Sequence, residues 1–140
     1  MNPRGTIPSG PGSPGQGADT AGVTGKISAS DVTTHVLDTA RGVPAAGVQV
    51  RLEVLDVDGS AAVIGQALTD EDGRAHQLGP AQLPAGRYRL VFDTAGYHAS
   101  QGQQPFFPEV TVTFRLDGSE PHCHVPLLLS PFAYVTYRGS

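Results

Sequence analysis

Apolar residues occupy every second position along several stretches of this sequence, and no other feature restricts the fold as strongly. In the stretches 48–54, 88–92 and 110–116, valine, leucine, tyrosine or phenylalanine alternates with mostly polar side chains. Successive side chains of a β-strand point to opposite faces, so this spacing predicts strands that bury one face only. The chain is therefore predicted to be an all-β protein.

Four further stretches extend the set to seven or eight short strands. Turn-forming pairs such as Asp58-Gly59, Asp72-Gly73 and Asp117-Gly118 separate the stretches. Many short strands with turns between them are typical of a β-sandwich. Only residues 93–101 are predicted to be helical, with Asp93 as the N-cap. The further strands are predicted at residues 32–37, 61–68, 123–129 and 133–137.

The length of the chain suits one domain. A chain of 140 residues can bury a modest core, which must consist mainly of Val, Leu and Ala because only 6% of the residues are aromatic. Residues 1–27 are rich in Gly, Pro and Ser and contain almost nothing large and apolar. Such a segment cannot build a core. We therefore expect a flexible leader at 1–27 and a folded domain at 28–140.

Charge and cysteine content restrict the partners. The formal net charge of -4 argues against nucleic acid or an anionic membrane surface, which both require clustered Lys and Arg, and favours a small-molecule or protein partner. With Cys123 as the single cysteine, neither an intrachain disulfide nor a multi-cysteine metal site can form. The sequence has neither a signal peptide nor an apolar run of membrane-spanning length. We expect a cytoplasmic protein.

Several polar residues lie where an apolar or turn residue would suffice. His35 lies inside a predicted strand, and Arg74 follows the acidic turn 70–73. Either residue has a structural alternative: a hydrogen-bonded core histidine in the first case, and a solvated charge that balances three acids in the second. His122 and His124 share one face of a strand, which permits a metal pair. No third ligand is evident, so a metal site is not expected.

The remaining candidates are Cys123, two other histidines and the C-terminus. Cys123 is expected to face away from His122 and His124 as a small buried hydrophobe, and His76 and His98 lie in polar surroundings typical of the surface. Residues 137–140, Tyr-Arg-Gly-Ser, come directly after the last apolar strand. Because termini usually fray unless they are held, we expect this C-terminus to be part of a site.

Six segments, taken together and in order, resemble the 5-hydroxyisourate hydrolases of the transthyretin-like family. The resemblance covers about residues 28–140 and implies the transthyretin sandwich of two four-stranded sheets with one short helix. It also implies a homotetramer, a dimer of dimers, with active sites in the channel between the dimers. The segments that carry the resemblance are 34–42, 69–74, 92–94, 107–110, 122–131 and 137–140.

The family's reaction is the hydrolytic opening of the lactam of 5-hydroxyisourate by a histidine-activated water, in the degradation of urate to allantoin. Without a cofactor or metal, His35 and His124 would share the general-base role, and Arg74 would orient the substrate and stabilise negative charge. Contact of His122 with the site is left open. The resemblance implies catalytic roles for His35, Arg74, His124 and Ser140, and substrate-binding roles for Arg74, Tyr137, Arg138, Gly139 and Ser140.

Two other functions remain as alternatives. Transthyretin shares the fold and binds aromatic hormones in the channel between dimers, so the chain could be a carrier. A hormone channel has little use for the ionisable set His35, Arg74 and His124, which argues against this alternative. The third hypothesis is a structural sandwich repeat of a larger surface protein, with the leader as its linker. The polar motif at residues 137–140 argues against that hypothesis.

Overall fold

The computed structural model describes residues 32–140, which form two β-sheets and one short helix. The predicted all-β sandwich is confirmed, whereas the predicted leader at 1–27 lies outside the described residues. Within residues 32–140, no helix has the length and apolar content needed to cross a membrane. The elements are β1 (Val32–Asp38), β2 (Val43–Pro44), β3 (Gln49–Leu55), β4 (Ala61–Leu68), β5 (Arg74–Ala75), β6 (Gly86–Phe92), α1 (Thr94–Ser100), β7 (Val110–Leu116), β8 (Cys123–Leu129) and β9 (Tyr134–Thr136).

The first sheet has the order β2-β1-β8-β9, and β5 also pairs with β1. Strands β1 and β8 are parallel, in a continuous register from Val32 opposite Cys123 to Asp38 opposite Leu129. Because β8 occupies one edge of β1, the two-residue strands β2 and β5 share the other edge. One position of the predicted four-stranded sheet is therefore filled by two short strands, and the sheet has five.

The second sheet has the order β4-β3-β6-β7 and is antiparallel throughout. Its inward residues include Leu52 and Leu90, which are fully buried against residues of the first sheet such as Val36 and Leu127. The period-two pattern predicts these inward positions correctly. The core therefore lies between the sheets, and polar residues of β1 and β8 are left for the outer face of the first sheet.

Helix α1 is attached to the end of β1 by a buried hydrogen bond. The Asp93 side chain caps the helix by accepting from the Gly96 backbone N–H, as predicted. The Tyr97 hydroxyl donates to Asp38 Oδ2 at 2.7 Å, and Asp38 Oδ1 accepts from the backbone N–H groups of Ala40 and Arg41. The carboxylate is 1% exposed, so these donors replace its lost hydration. Burial, followed by the bond to Asp38, raises the pKa of Tyr97 to about 12, and the phenol stays a donor at ordinary pH.

The helix also corrects one prediction from the sequence. His98 is 1% exposed and not at the surface, because the helix turns it inward beside Tyr97. The His98 ring packs edge-on against the Tyr97 ring at 5.4 Å, and its Nδ1 lies 3.1 Å from Gln103 Oε1. His76 is exposed, as predicted. Polar neighbours in the sequence therefore did not reveal which histidine the tertiary packing would bury.

Replacement of the Tyr97 hydroxyl should destabilise the fold. Tyr97→Phe leaves one oxygen of a buried carboxylate without a donor, so the free energy of unfolding in urea should fall by about 1–3 kcal/mol. Tyr134→Phe is the control, because Tyr134 is 38% exposed and the loss of an exposed hydroxyl should change stability by no more than about 0.5 kcal/mol. Equal effects of the two substitutions would contradict the role given to the Tyr97–Asp38 bond.

Candidate active site

The outer face of the β1–β8 pair carries a cluster of histidines. Along β1, Val36 points into the core, so Thr33 and His35 point outward. His124 lies opposite Thr33 in the parallel register, and residues paired in neighbouring strands share a face. The register therefore brings His35 and His124 together, although the positions of the two residues in the chain are far apart.

Arg74 reaches the cluster through a tight turn. The Asp70 carboxylate accepts from the backbone N–H groups of Asp72 and Arg74, which lowers its pKa. Gly73 has a φ of +79°, and a Cβ at this position would collide with the carbonyl oxygen of Val36. Only glycine allows the turn to approach β1 this closely. The turn then places Arg74 directly opposite His35 in the β1–β5 pair.

The side chain of Arg74 is exposed and makes no ion pair with a carboxylate of the described residues. Its charge is close enough to His124 to lower the pKa of that residue, and it also contributes to the lowered pKa of Asp70. The charge therefore acts on an acid of the turn, as the structural alternative expects, and on the histidine cluster.

The hydrogen bonding of His35 determines which ring nitrogen carries its proton. His35 Nε2 lies 2.8 Å from the carbonyl oxygen of Asp72. A carbonyl oxygen can only accept, so Nε2 must donate. In the neutral ring, Nδ1 is then the nitrogen with a free lone pair. His35 is thus held by the same turn that positions Arg74, with one nitrogen left for accepting a proton.

His124 is held in its neutral form. Burial lowers its pKa below the ordinary value of 6.5, and the nearby charge of Arg74, followed by those of His122 and His35, lowers the pKa further. The Nδ1 atom of His124 lies 2.8 Å from the hydroxyl of Thr33. A neutral imidazole beside a guanidinium can accept a proton while the cation stabilises negative charge nearby.

His122, whose contact with the site the sequence left open, belongs to this cluster. Its Nε2 lies 3.1 Å from the same Thr33 hydroxyl, and its ring is nearly parallel to that of His124 with the ring centres 6.5 Å apart. Thr33 was not among the residues predicted from the sequence. The signal that could have identified it is its position two residues before His35, which places both on one face of the strand.

The C-terminal segment folds back onto β8. The Gly139 backbone N–H donates to the His124 carbonyl at 2.8 Å. A Cβ on Gly139 would lie 2.7 Å from His124 Cδ2, closer than real Cβ contacts allow. A glycine is therefore required here, since any side chain would displace the His124 ring. Ser140 follows Gly139 and is exposed.

Two residues of the C-terminal motif are placed differently. The Arg138 guanidinium forms an ion pair with Glu120, and Tyr137 is 54% exposed. Both line a cavity of about 250 Å³ that Cys123 also lines. Cys123 faces away from His124, because successive residues of a strand point to opposite faces. Cys123 packs against the core but is only partly buried, whereas a buried residue was predicted, and burial raises the pKa of its thiol. The substrate-binding roles of Tyr137 and Arg138 stay predictions.

No group of three His, Cys, Asp or Glu side chains within residues 32–140 is arranged to hold a metal ion. The chemistry that the described residues offer is that of neutral imidazoles, a guanidinium and a hydroxyl. This combination suits acid–base catalysis on a small polar molecule that carries a carbonyl group.

Comparison with known proteins identifies relatives of the chain. Residues 32–139 match the model of the HIUase/Transthyretin family. The 5-hydroxyisourate hydrolase of Mus musculus is 45% identical over 113 residues, which are 79% of this chain and 96% of the mouse protein. The solved structure of Klebsiella pneumoniae 5-hydroxyisourate hydrolase is 35% identical, with a TM-score of 0.70 over 79% of this chain and 99% of that one. Sea bream transthyretin in complex with thyroxine is also 35% identical, with a TM-score of 0.74 over 78% of this chain and 94% of that one.

Removal of the Arg74 charge should raise the pKa of His124. In Arg74→Gln, His124 loses a cationic neighbour, so its protonated form becomes easier to reach. The titration of the His124 ring protons, followed by NMR, should move towards higher pH. Arg87→Gln removes the same charge from β6 in the other sheet and should leave the titration unchanged. A His124 pKa that does not rise in Arg74→Gln would contradict the proximity of these two groups.

Proposed function

The chain belongs to the HIUase/Transthyretin family, and on this basis we propose that it hydrolyses 5-hydroxyisourate to 2-oxo-4-hydroxy-4-carboxy-5-ureidoimidazoline in the degradation of urate to allantoin. The observation that carries the proposal is the convergence of His35, Arg74 and His124 on one face of the β1–β8 pair. These are the residues on which the family's catalytic side chains fall in this sequence. A carrier of apolar ligands would gain nothing from such a set.

The reaction adds one water molecule across an amide bond. The water oxygen attacks the lactam carbonyl carbon while an imidazole takes one of the water protons. The bond between the carbonyl carbon and nitrogen then breaks, the nitrogen gains a proton, and the product carries a carboxylate. Either His35, at Nδ1, or His124 can serve as the base. The Asp72 carbonyl occupies Nε2 of His35 and leaves Nδ1 free, and burial, followed by the charge of Arg74, lowers the pKa of His124.

Arg74 is proposed to stabilise the transition state. Negative charge develops on the carbonyl oxygen during attack, and a planar guanidinium offers several N–H donors to such an oxygen. The donors of Arg74 are available because the side chain is exposed and has no carboxylate partner among the described residues. Ser140 is proposed to position the substrate with its hydroxyl and carboxylate, next to Gly139 at His124.

The proposed binding roles of Tyr137 and Arg138 require that Arg138 leave Glu120. Both side chains of this ion pair are more than half exposed, at 67% for Arg138 and 55% for Glu120. Exposed ion pairs contribute only about 0–1 kcal/mol. An anionic substrate could therefore replace Glu120 as the partner of Arg138 with little loss of stability.

We propose a homotetramer, a dimer of dimers, as the active assembly. Within residues 32–140, β7 and β9 are the outer strands on one side of each sheet, and Val135 of β9 is 56% exposed. Open strand edges are common sites of pairing between chains. The proposed compartment is the cytoplasm, which suits a protein with one free thiol, Cys123.

The proposal is tested with 5-hydroxyisourate freshly generated from urate by urate oxidase. The decay of its ultraviolet absorbance should be faster with the purified chain than in buffer. His124→Asn should fold normally and lose about two orders of magnitude in turnover, the usual scale for the loss of an acid–base group. Arg87→Gln, on the other sheet, should keep full activity. If the folded chain does not accelerate the decay, the carrier alternative is favoured over the hydrolase.

Gly139→Ala should lower activity without unfolding the protein. The new methyl group would displace the His124 ring, and kcat/KM should fall roughly 10-fold to 100-fold because catalysis depends on the position of this ring. Gly59→Ala, in the turn between β3 and β4, is the control. At Gly59, with a φ of +89° and no atom within 4 Å of a new Cβ, the substitution should cost about 1 kcal/mol of stability and no activity. Full activity of Gly139→Ala would contradict the contact with His124.

A further inference from the structure

The hydroxyl group of Thr33 contacts two histidines: His124 in β8, and His122, which immediately precedes that strand. Thr33 Oγ1 lies 2.8 Å from His124 Nδ1 and 3.1 Å from His122 Nε2. Thr33 is only 9% exposed, so water has little access to its hydroxyl. Among the described residues, these two ring nitrogens are the partners of that oxygen. The hydroxyl therefore bridges an exposed histidine and a half-buried one.

The single proton of the hydroxyl allows two arrangements of the bridge. A hydroxyl donates one hydrogen bond and accepts others, and a neutral imidazole has one donor and one acceptor nitrogen. If Thr33 donates to His122, then His124 Nδ1 carries a proton and donates to Thr33. If Thr33 donates to His124, then His122 donates to Thr33. A hydroxyl that accepted from both rings would leave its own proton without a partner.

Only the first arrangement makes His124 a base. With the proton on Nδ1, Nε2 of His124 has a free lone pair and can accept a proton from water. In the second arrangement, Nε2 carries the proton and can only donate. The direction of the Thr33 hydroxyl therefore favours one or the other chemistry of His124, and the backbone of Thr33 also interacts with the His124 ring. A neutral His122 permits the productive arrangement, because its Nε2 can accept from Thr33.

Protonation of His122 disfavours the productive arrangement. An imidazolium carries protons on both nitrogens, so His122 must then donate to Thr33. If His124 Nδ1 also donated to the same oxygen, the proton of the Thr33 hydroxyl would have no partner among the described residues, so the arrangement in which Thr33 donates to His124 Nδ1 is favoured. The charged groups near His124 are Arg74, His35 and His122, all of which are or can become cations. Glu120 and Arg138 line the same cavity as His122.

We propose that Thr33 is a positioning residue that sets the tautomer of His124 according to the protonation state of His122. This inference rests on the proposed hydrolase function and adds two residues, Thr33 and His122, to which the family resemblance assigned no role. Protonation of His122 would weaken His124 as a base without any movement of the backbone. Because of this bridge, full activity depends on the deprotonation of His122 as well as on the catalytic pair His35 and His124.

The first test measures the tautomer directly. Long-range ¹H–¹⁵N NMR spectra of the full chain above neutral pH should show His124 with its proton on Nδ1. In Thr33→Val, which keeps the β-branched shape and lacks the hydroxyl, the proton should shift towards Nε2. Thr33→Ser should restore the original spectrum. An unchanged His124 tautomer in Thr33→Val would overturn the proposal.

The second test uses the hydrolysis of 5-hydroxyisourate. Thr33→Val should lose roughly 10-fold to 100-fold in kcat with little change in KM, the scale expected when the group that orients a functional histidine is removed. His122→Gln can still accept from Thr33 but cannot become a cation, so the pH dependence of its activity should differ from that of the parent chain. On the acidic side, a plot of log(kcat/KM) against pH should have a slope smaller by one for this variant than for the parent chain. The reason is that one fewer histidine must lose its proton before the enzyme is active.

Equal slopes for His122→Gln and the parent, or a fully active Thr33→Val, would overturn the proposal. If the parent chain fails to hydrolyse 5-hydroxyisourate, the proposed function fails. The nitrogen spectra still decide in that case whether Thr33 sets the tautomer, so the two failures are distinguishable.

Discussion

The parallel pairing of β1 with β8 is the constraint on which the site depends. It joins Thr33 to His124 across 91 positions of the sequence, and the chain between them builds the whole second sheet. The register cannot slip easily, because a shift by one residue would turn buried side chains such as Val36 and Leu127 towards solvent. The same hydrophobic alternation that builds the core therefore also fixes the geometry of the histidines on the opposite face.

The other edge of β1 completes the site. A conventional fourth strand would cover this edge, whereas β2 and β5 are two residues long and leave room for the turn that carries Arg74. One backbone segment then does two things: the Asp72 carbonyl fixes the ring of His35, and Arg74 lies opposite that ring. The result is a cationic neighbourhood in a chain of net charge -4. Burial, together with these cationic neighbours, favours the neutral form of His124, and the neighbourhood suits an anionic substrate or transition state.

The sequence predicted the larger elements because their signal is periodic. The six strands of seven or eight residues, the three-residue β9 and the capped helix follow from alternation, turn residues and Asp93. The two-residue strands β2 and β5 are too short to show a period, so the five-stranded sheet was not predicted. The burial of His98 depends on how α1 packs, and the role of Thr33 depends on the β1–β8 register. Neither property can be predicted from the residues that are adjacent in the sequence. His35, Arg74 and His124 were recognised only through the family resemblance, since each has a structural alternative when it is considered alone.

The most direct measurement is a double-mutant cycle on kcat/KM for 5-hydroxyisourate with His35→Ala, His124→Asn and the double variant. If the register unites the two imidazoles in one reaction centre, their losses will be strongly non-additive, and the double variant will be scarcely worse than the more damaged single one. If the two losses multiply, the histidines act independently. That result would contradict the conclusion that the β1–β8 pair builds a single catalytic unit.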